Sequence, residues 1–314
     1  MPLRDATAVM ASLWCFLCFL ACWEAVPKQT VDLPARFEGN RIFVDVAAHN
    51  GDTLRLFTDT GGGLFVYGHA VDRLGLDDPT EIRLSDLAID NDFPEPLGSP
   101  NRGIPIFRPN EPPDLVTGDG MLGQAWFADR VWTFDYPHKK LQVHSGLIQP
   151  NSHGHDARLG FLVDSTGARR FSFPRISLSV AGDSLEMLFD TGASVRLTTA
   201  ARERLSEESR ALRSTSFVTS EVLDRWCALH PKWPVILDSD ERVRDMRMVL
   251  VPEVSIAGYV VGPVWFTERP NESFHEYMSQ WMDHPIDGAV GGNALRFFTV
   301  TVDYPAAVAR FVRR

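Results

Sequence analysis

Apolar and polar positions alternate along two stretches of the chain, and each stretch leads towards an aspartate. In RIFVDV, from Arg41, the residues Ile42, Val44 and Val46 fall on one side of an extended chain. In RISLSV, from Arg175, Ile176, Leu178 and Val180 do the same. A period of two predicts half-buried strands. Each strand is followed by a turn, at Gly51-Asp52 and at Gly182-Asp183, and then by a second apolar-rich run, TLRLFT or SLEMLF, that enters Asp59 or Asp190. Laid over one another from Arg41 and Arg175, the two arms match, the first being longer by three residues. Short helix-like runs follow, HAVDRLGL in one half and TAARERL in the other. Further on, Asp119-Gly120-Met121-Leu122-Gly123 corresponds to Asp287-Gly288-Ala289-Val290-Gly291, and Asp135-Tyr136-Pro137 to Asp303-Tyr304-Pro305, both at a separation of 168. Self-similarity on this scale predicts one architectural plan used twice.

Both second strands end on Asp-Thr-Gly: Asp59-Thr60-Gly61 and Asp190-Thr191-Gly192. One such tripeptide is an ordinary turn, since all three residue types favour turns. Two in matching repeats point to chemistry. Glycine allows close backbone approach, so an aspartate at a strand end followed by glycine can be presented on a tight loop. Two facing loops would bring the carboxylates close enough to share one proton, because like charges at short range cannot both ionise comfortably. Such a pair can activate a water, one carboxylate as base and the other, protonated, polarising a scissile carbonyl. This chemistry requires no metal and no cofactor.

With these motifs in place, the chain from about Arg36 to its end resembles the pepsin/retropepsin-like aspartic proteases, nearest to double-repeat bacterial aspartyl protease-like proteins. The resemblance implies an all-β, bilobal fold of two retropepsin-like barrel lobes related by a pseudo-twofold, with the site between them. It implies Asp59 and Asp190 as the catalytic dyad. Thr60 and Thr191 would hydrogen-bond across the pseudo-twofold, and Gly61 and Gly192 would let backbone amides approach the carboxylates. Leu122-Gly123 and Val290-Gly291 match the hydrophobic-glycine segment behind each catalytic loop. In that group serine or threonine commonly follows Asp-Thr-Gly and donates to the carboxylate, whereas Gly62 and Ala193 stand here. A lost donor raises the apparent pKa of the pair, which predicts an acid limb at higher pH than in a pepsin-like enzyme. Ser194, one residue later, is the complication. A polypeptide substrate is implied. Two motifs in one chain mean that a monomer suffices.

Composition adds bounds. A formal net charge of −10 without a basic run excludes a nucleic-acid partner by charge. The apolar run ASLWCFLCFLACW follows a segment carrying Arg4 and reads as an export signal within residues 1–26. Phe19-Leu20-Ala21-Cys22 resembles a bacterial lipobox, which makes Cys22 the expected lipidated residue. The rivals are a membrane anchor and plain secretion, and all three place the folded part in the cell envelope or periplasm or beyond. Cys15, Cys18 and Cys22 all fall in that leader, so only Cys227 remains, as a small apolar group and not a nucleophile with His230. The expected organisation is a tether at 27–34, a first lobe at 35–143, a linker at 144–160 holding His153 and His155 as solvated groups with no metal assigned, and a second lobe at 161–314.

Lobe 2 is longer than lobe 1 by 37 residues between its aspartate landmarks. The surplus is expected in EVLDRWCALHPKWPVILDSDERVRD and in ESFHEYMSQWMDH, the latter as padding on the outer face. A flap tyrosine is missing, because Tyr67 lies too near the first motif; AIDNDFPEPLGSPNRGIPIFRP is the candidate cover, with Phe93 or Phe107 as substrate contacts. Two functions stay open: an aspartic endopeptidase, and a catalytically silent protease-fold module that binds a peptide or glycan.

Overall fold

The computed structural model describes residues 29–77, 79–89, 93–109, 118–145, 153–205 and 211–313. The expected leader, with Cys22, lies outside the described residues. Among the described residues no helix is long and apolar enough to cross a membrane.

The fold is mostly β, in two lobes built around matching hairpins. In lobe 1, Arg41–Ala47 pairs antiparallel with Thr53–Thr58, setting Ile42 opposite Thr58 and Ala47 opposite Thr53. In lobe 2, Arg175–Val180 pairs with Asp183–Phe189. The second strand of each hairpin gains a parallel neighbour from far along the chain: Gly120–Leu122 beside Thr53–Thr58, and Gly288–Val290 beside Asp183–Phe189. Both strands therefore lose their alternation towards the aspartate, where three successive residues are buried, as expected for a strand covered on both faces.

Pairing register corrects the sequence alignment of the arms. Phe57 and Leu188 each lie two residues before their aspartate, and they face Phe43 and Arg175 respectively. Phe43, not Arg41, is thus the counterpart of Arg175. The arms differ by one residue, and Arg41 corresponds to Phe173. Two arginines at the head of similar runs produced the false match.

A six-stranded antiparallel sheet joins the lobes, in the order Gln29–Leu33, Lys140–Ser145, Val131–Asp135, Phe298–Asp303, Val308–Arg313, His155–Arg158. Three strands come from each half. The expected tether carries the first of these strands and the expected linker carries the last. At the centre Val131–Asp135 meets its own counterpart, with Thr133 opposite Thr301 and their hydroxyls 2.9 Å apart. The pseudo-twofold passes between those two residues. Trp126, Phe127, Trp132, Phe134 and Tyr304 are buried against this sheet, Trp126 and Trp132 with ring centroids 4.4 Å apart.

The lobe 2 surplus has two destinations. Ser220–Leu229 is an amphipathic helix that buries Val222, Leu223 and Trp226. Cys227 on its flank is partly buried, its thiol pushed up by burial, and His230 stacks on Trp233. The segment at Ser273–Met278 coils as a wide π-type turn, but it is not outer padding. Phe274, Met282 and Ile286 pack with Leu188, Ala193 and Phe217, directly under the second Asp-Thr-Gly loop. Its apolar side chains sit on the side that faces the cleft wall, which the run of charges around them obscured. His155 stacks on Tyr259 and donates to the Ala257 carbonyl at 2.9 Å.

Candidate active site

Each aspartate is seated by the parallel neighbour of its strand. The Asp59 amide donates to the Leu122 carbonyl at 3.0 Å, and the Asp190 amide to the Val290 carbonyl at 3.0 Å. The neighbouring strands are held in turn by the aspartates that open them. Asp119 accepts the Arg55 amide at 2.8 Å and pairs with Arg73 at 2.7 Å. Asp287 accepts the Glu186 amide at 3.2 Å. The aspartate of each Asp-Gly-x-hydrophobic-Gly run is therefore a structural anchor below the loop.

The two loops interlock through their threonines. Thr60 donates its hydroxyl to the Phe189 carbonyl at 2.6 Å and accepts the Thr191 amide at 3.0 Å; the Thr60 amide donates to the Thr191 hydroxyl at 3.2 Å. Both threonines are fully buried. A buried amide left without its acceptor costs about 1–3 kcal/mol, so Thr60→Val, which strips the acceptor from the Thr191 amide, is expected to lower stability by about that amount. Urea unfolding of the variant against the native chain measures it, and an unchanged midpoint would refute the role.

Within each loop one carboxylate oxygen accepts the amide two residues on, Gly61 to Asp59 and Gly192 to Asp190, each at 2.9 Å. Each glycine is also pressed against the other lobe's carboxyl. A Cβ on Gly192 would lie 2.0 Å from the Asp59 carboxyl carbon, and one on Gly61 would lie 2.7 Å from that of Asp190. No side chain fits at Gly192, and one at Gly61 would be crowded.

The carboxyls are hydrogen-bonded to one another and unequal. Burial raises both, and the neighbouring Asp59 charge raises Asp190 further. Asp59 is drawn back down by the hydrogen bond from Asp190, by the Gly61 amide and by the positive charge of Arg41. The two carboxyls therefore titrate as one unit, in which Arg41 favours the charged form at Asp59.

Arg41 carried no functional expectation from sequence. It is 4% exposed, with its guanidinium carbon 4.5 Å from the Phe57 ring centre and 5.0 Å from that of Phe43. Burial lowers its pKa to about 10, so it remains a cation at neutral pH. The corresponding Phe173 puts no charge beside Asp190. Neither carboxylate receives the hydroxyl discussed above: Ser194 donates to the Gly192 carbonyl at 2.7 Å. At Gly62 a Cβ would meet the Met121 sulfur at 2.5 Å and the Asp59 carboxyl carbon at 2.7 Å, so serine does not fit there. Arg41 supplies to Asp59 the stabilisation of charge that such a hydroxyl would give. Removing it lets the pKa of Asp59 rise, and the base then takes up its proton at higher pH. Arg41→Met is accordingly expected to move the acid limb of the rate profile upward and Arg41→Lys to restore part of it; superimposable limbs in initial-rate profiles of the three proteins would remove Arg41 from the site.

The aspartates open into a pocket of about 310 Å³ whose other described walls, Gly192 to Ser194, Phe217, Arg242, Val243 and Arg269, all belong to lobe 2. No described residue of the expected cover from lobe 1 lines this pocket. Phe93 is buried, which withdraws it as a substrate contact, and its segment is pinned where the Trp126 indole donates to the Pro94 carbonyl at 2.7 Å. Phe107 is 44% exposed but lies against Phe65 and Tyr67, away from the pocket. The Tyr67 hydroxyl is buried and has no hydrogen-bond partner among the described residues.

No family model and no curated protein sequence matches the chain. Among solved structures it is similar to an aspartic proteinase from Irpex lacteus, with 10% sequence identity over 91% of this chain and 97% of that one, at a TM-score of 0.51. The likeness is one of fold, and the fold is pepsin-like.

Proposed function

We propose that this pepsin-like chain is an aspartic endopeptidase of the double-repeat bacterial kind, with Asp59 as base and Asp190 as acid. The observation that carries the reading is the pair itself: two buried, mutually hydrogen-bonded carboxyls on interlocked loops, lining one pocket. A water held between them would be deprotonated by Asp59 as it attacks the substrate carbonyl, while Asp190 donates its proton to the developing oxyanion. The tetrahedral intermediate would collapse as Asp59 delivers its proton to nitrogen and Asp190 takes one back from a gem-diol hydroxyl, breaking the C–N bond, re-forming the carbonyl and restoring the pair. Thr60, Gly61, Thr191 and Gly192 keep the geometry fixed through this exchange, so nothing need reorganise as charge moves. Likeness to the Irpex lacteus proteinase supports the reading at the level of fold. The test is incubation of the purified chain with a peptide library from pH 3 to pH 8, products identified by mass spectrometry, beside Asp59→Asn. Cleavage by the native chain alone is expected; cleavage by neither would favour a module that binds peptide or glycan without cutting it.

A further inference from the structure

The pocket beside the aspartates is walled by a loop that belongs to the extra length of lobe 2, and that loop is built, not draped. Asp240 is 1% exposed. One of its carboxylate oxygens accepts the Arg242 amide at 3.0 Å, and the other accepts Arg269 at 2.7 Å. A β-bridge joins Asp240 to Leu197, and the Glu241 amide donates to the Arg196 carbonyl at 2.8 Å. The loop is thereby fastened to the strand Ser194–Arg196, which leaves the second Asp-Thr-Gly. Its position is coupled to that of Asp190 through the five residues between Asp190 and Arg196.

The charges in this pocket do not cancel. Arg269 lies flat on Phe217, its guanidinium carbon 4.1 Å from the ring centre, and is neutralised by Asp240. Arg242 is exposed, lines the same pocket, and has no acidic partner among the described residues. Arg41 sets a further positive charge beside Asp59. Phe217 and Val243 add apolar surface to the lining that the aspartates and Arg242 share. A lining that combines apolar surface with an unpaired guanidinium suits a side chain with a short hydrocarbon stem and a carboxylate at its end.

We infer that this pocket receives an acidic side chain of the substrate, next to the scissile bond, with Arg242 as the group that recognises its carboxylate. The inference rests on the protease reading and narrows it to acidic cleavage sites. A charge-assisted hydrogen bond in a partly desolvated pocket discriminates against the uncharged isostere by about tenfold or more.

The test uses labelled peptides in which each position flanking the scissile bond holds Glu, Gln, Leu or Lys in turn. The native chain is expected to cleave the best Glu peptide with kcat/KM about tenfold above its Gln counterpart. Arg242→Gln should bring that ratio close to one, and 1 M NaCl should shrink it in the native chain. Because the readout is a ratio, a general loss of activity cannot imitate the result, and because Arg242 is exposed its loss leaves no buried group unpaired. Cleavage with no Glu preference, or a preference that survives Arg242→Gln, overturns the inference and leaves the protease reading standing. If no peptide is cut, binding of the same set by fluorescence anisotropy decides. An Arg242-dependent preference for Glu then supports the pocket while hydrolysis falls, and equal binding of Glu and Gln peptides overturns it.

Discussion

Asp59→Asn and Asp190→Asn are each expected to lower peptide hydrolysis by about 10³-fold or more, with circular dichroism and melting behaviour near those of the native chain. The two carboxyls divide one proton between a base and an acid, so losing either removes both halves of the exchange. Asparagine keeps the shape and can still accept the Gly61 or Gly192 amide through its carbonyl oxygen, which is why the fold should persist. The double variant should be little worse than either single one, because residues acting as a unit are not additive. Initial rates on one good peptide measure all three. Substantial turnover by a single variant would take that aspartate out of the chemistry, and a double variant far below both would show that the two act independently.

The second large effect concerns a methyl group. Gly192→Ala would set its Cβ 2.0 Å from the Asp59 carboxyl carbon and 2.3–2.4 Å from its oxygens, all rigidly held. Relief requires a shift on the order of an ångström by one loop or the other, and a misplacement of that size at a reacting group costs about 10²-fold in rate. Gly61→Ala makes a milder contact, 2.7 Å from the Asp190 carboxyl carbon and 2.8 Å from a methyl of Leu188, which can turn aside. The expected order of activity is therefore native, then Gly61→Ala, then Gly192→Ala. Measuring kcat for the three on one substrate checks it, and equal rates for the two alanine variants would show that the loops yield freely.

What could be read from sequence follows from what local patterns encode. Period-two strands, turn residues and glycines beside Asp59 and Asp190 are local, and their repetition along the chain supplied the pairing of one loop with the other. The threonine interlock was expected on resemblance to a known family, and Thr60 and Thr191 do bond across the loops. Arg41 was illegible, because its importance depends on a register two residues away from the one that similar residue types suggested. Arg242 was hidden in an insertion whose placement beside the pocket is fixed by the Asp240 carboxylate and by backbone pairing to residues over 40 positions earlier. Phe93 misled for the complementary reason: an aromatic in a Pro- and Gly-rich stretch looks like a mobile contact, and only the packing of Pro94 on Trp126 shows that it is core.

The central strand pair of the interlobe sheet, with Thr133 facing Thr301, has a consequence for symmetry. A residue on a twofold meets its own equivalent, which is how two identical chains would also assemble such a site, at the mercy of dilution. Joining both copies in one polypeptide makes their encounter intramolecular, so the pair of aspartates persists at any protein concentration. It also releases the copies from having to be the same. Two identical subunits must present their aspartates with identical neighbours; here Arg41 stands opposite Phe173, so a fixed positive charge lies beside one aspartate and not the other.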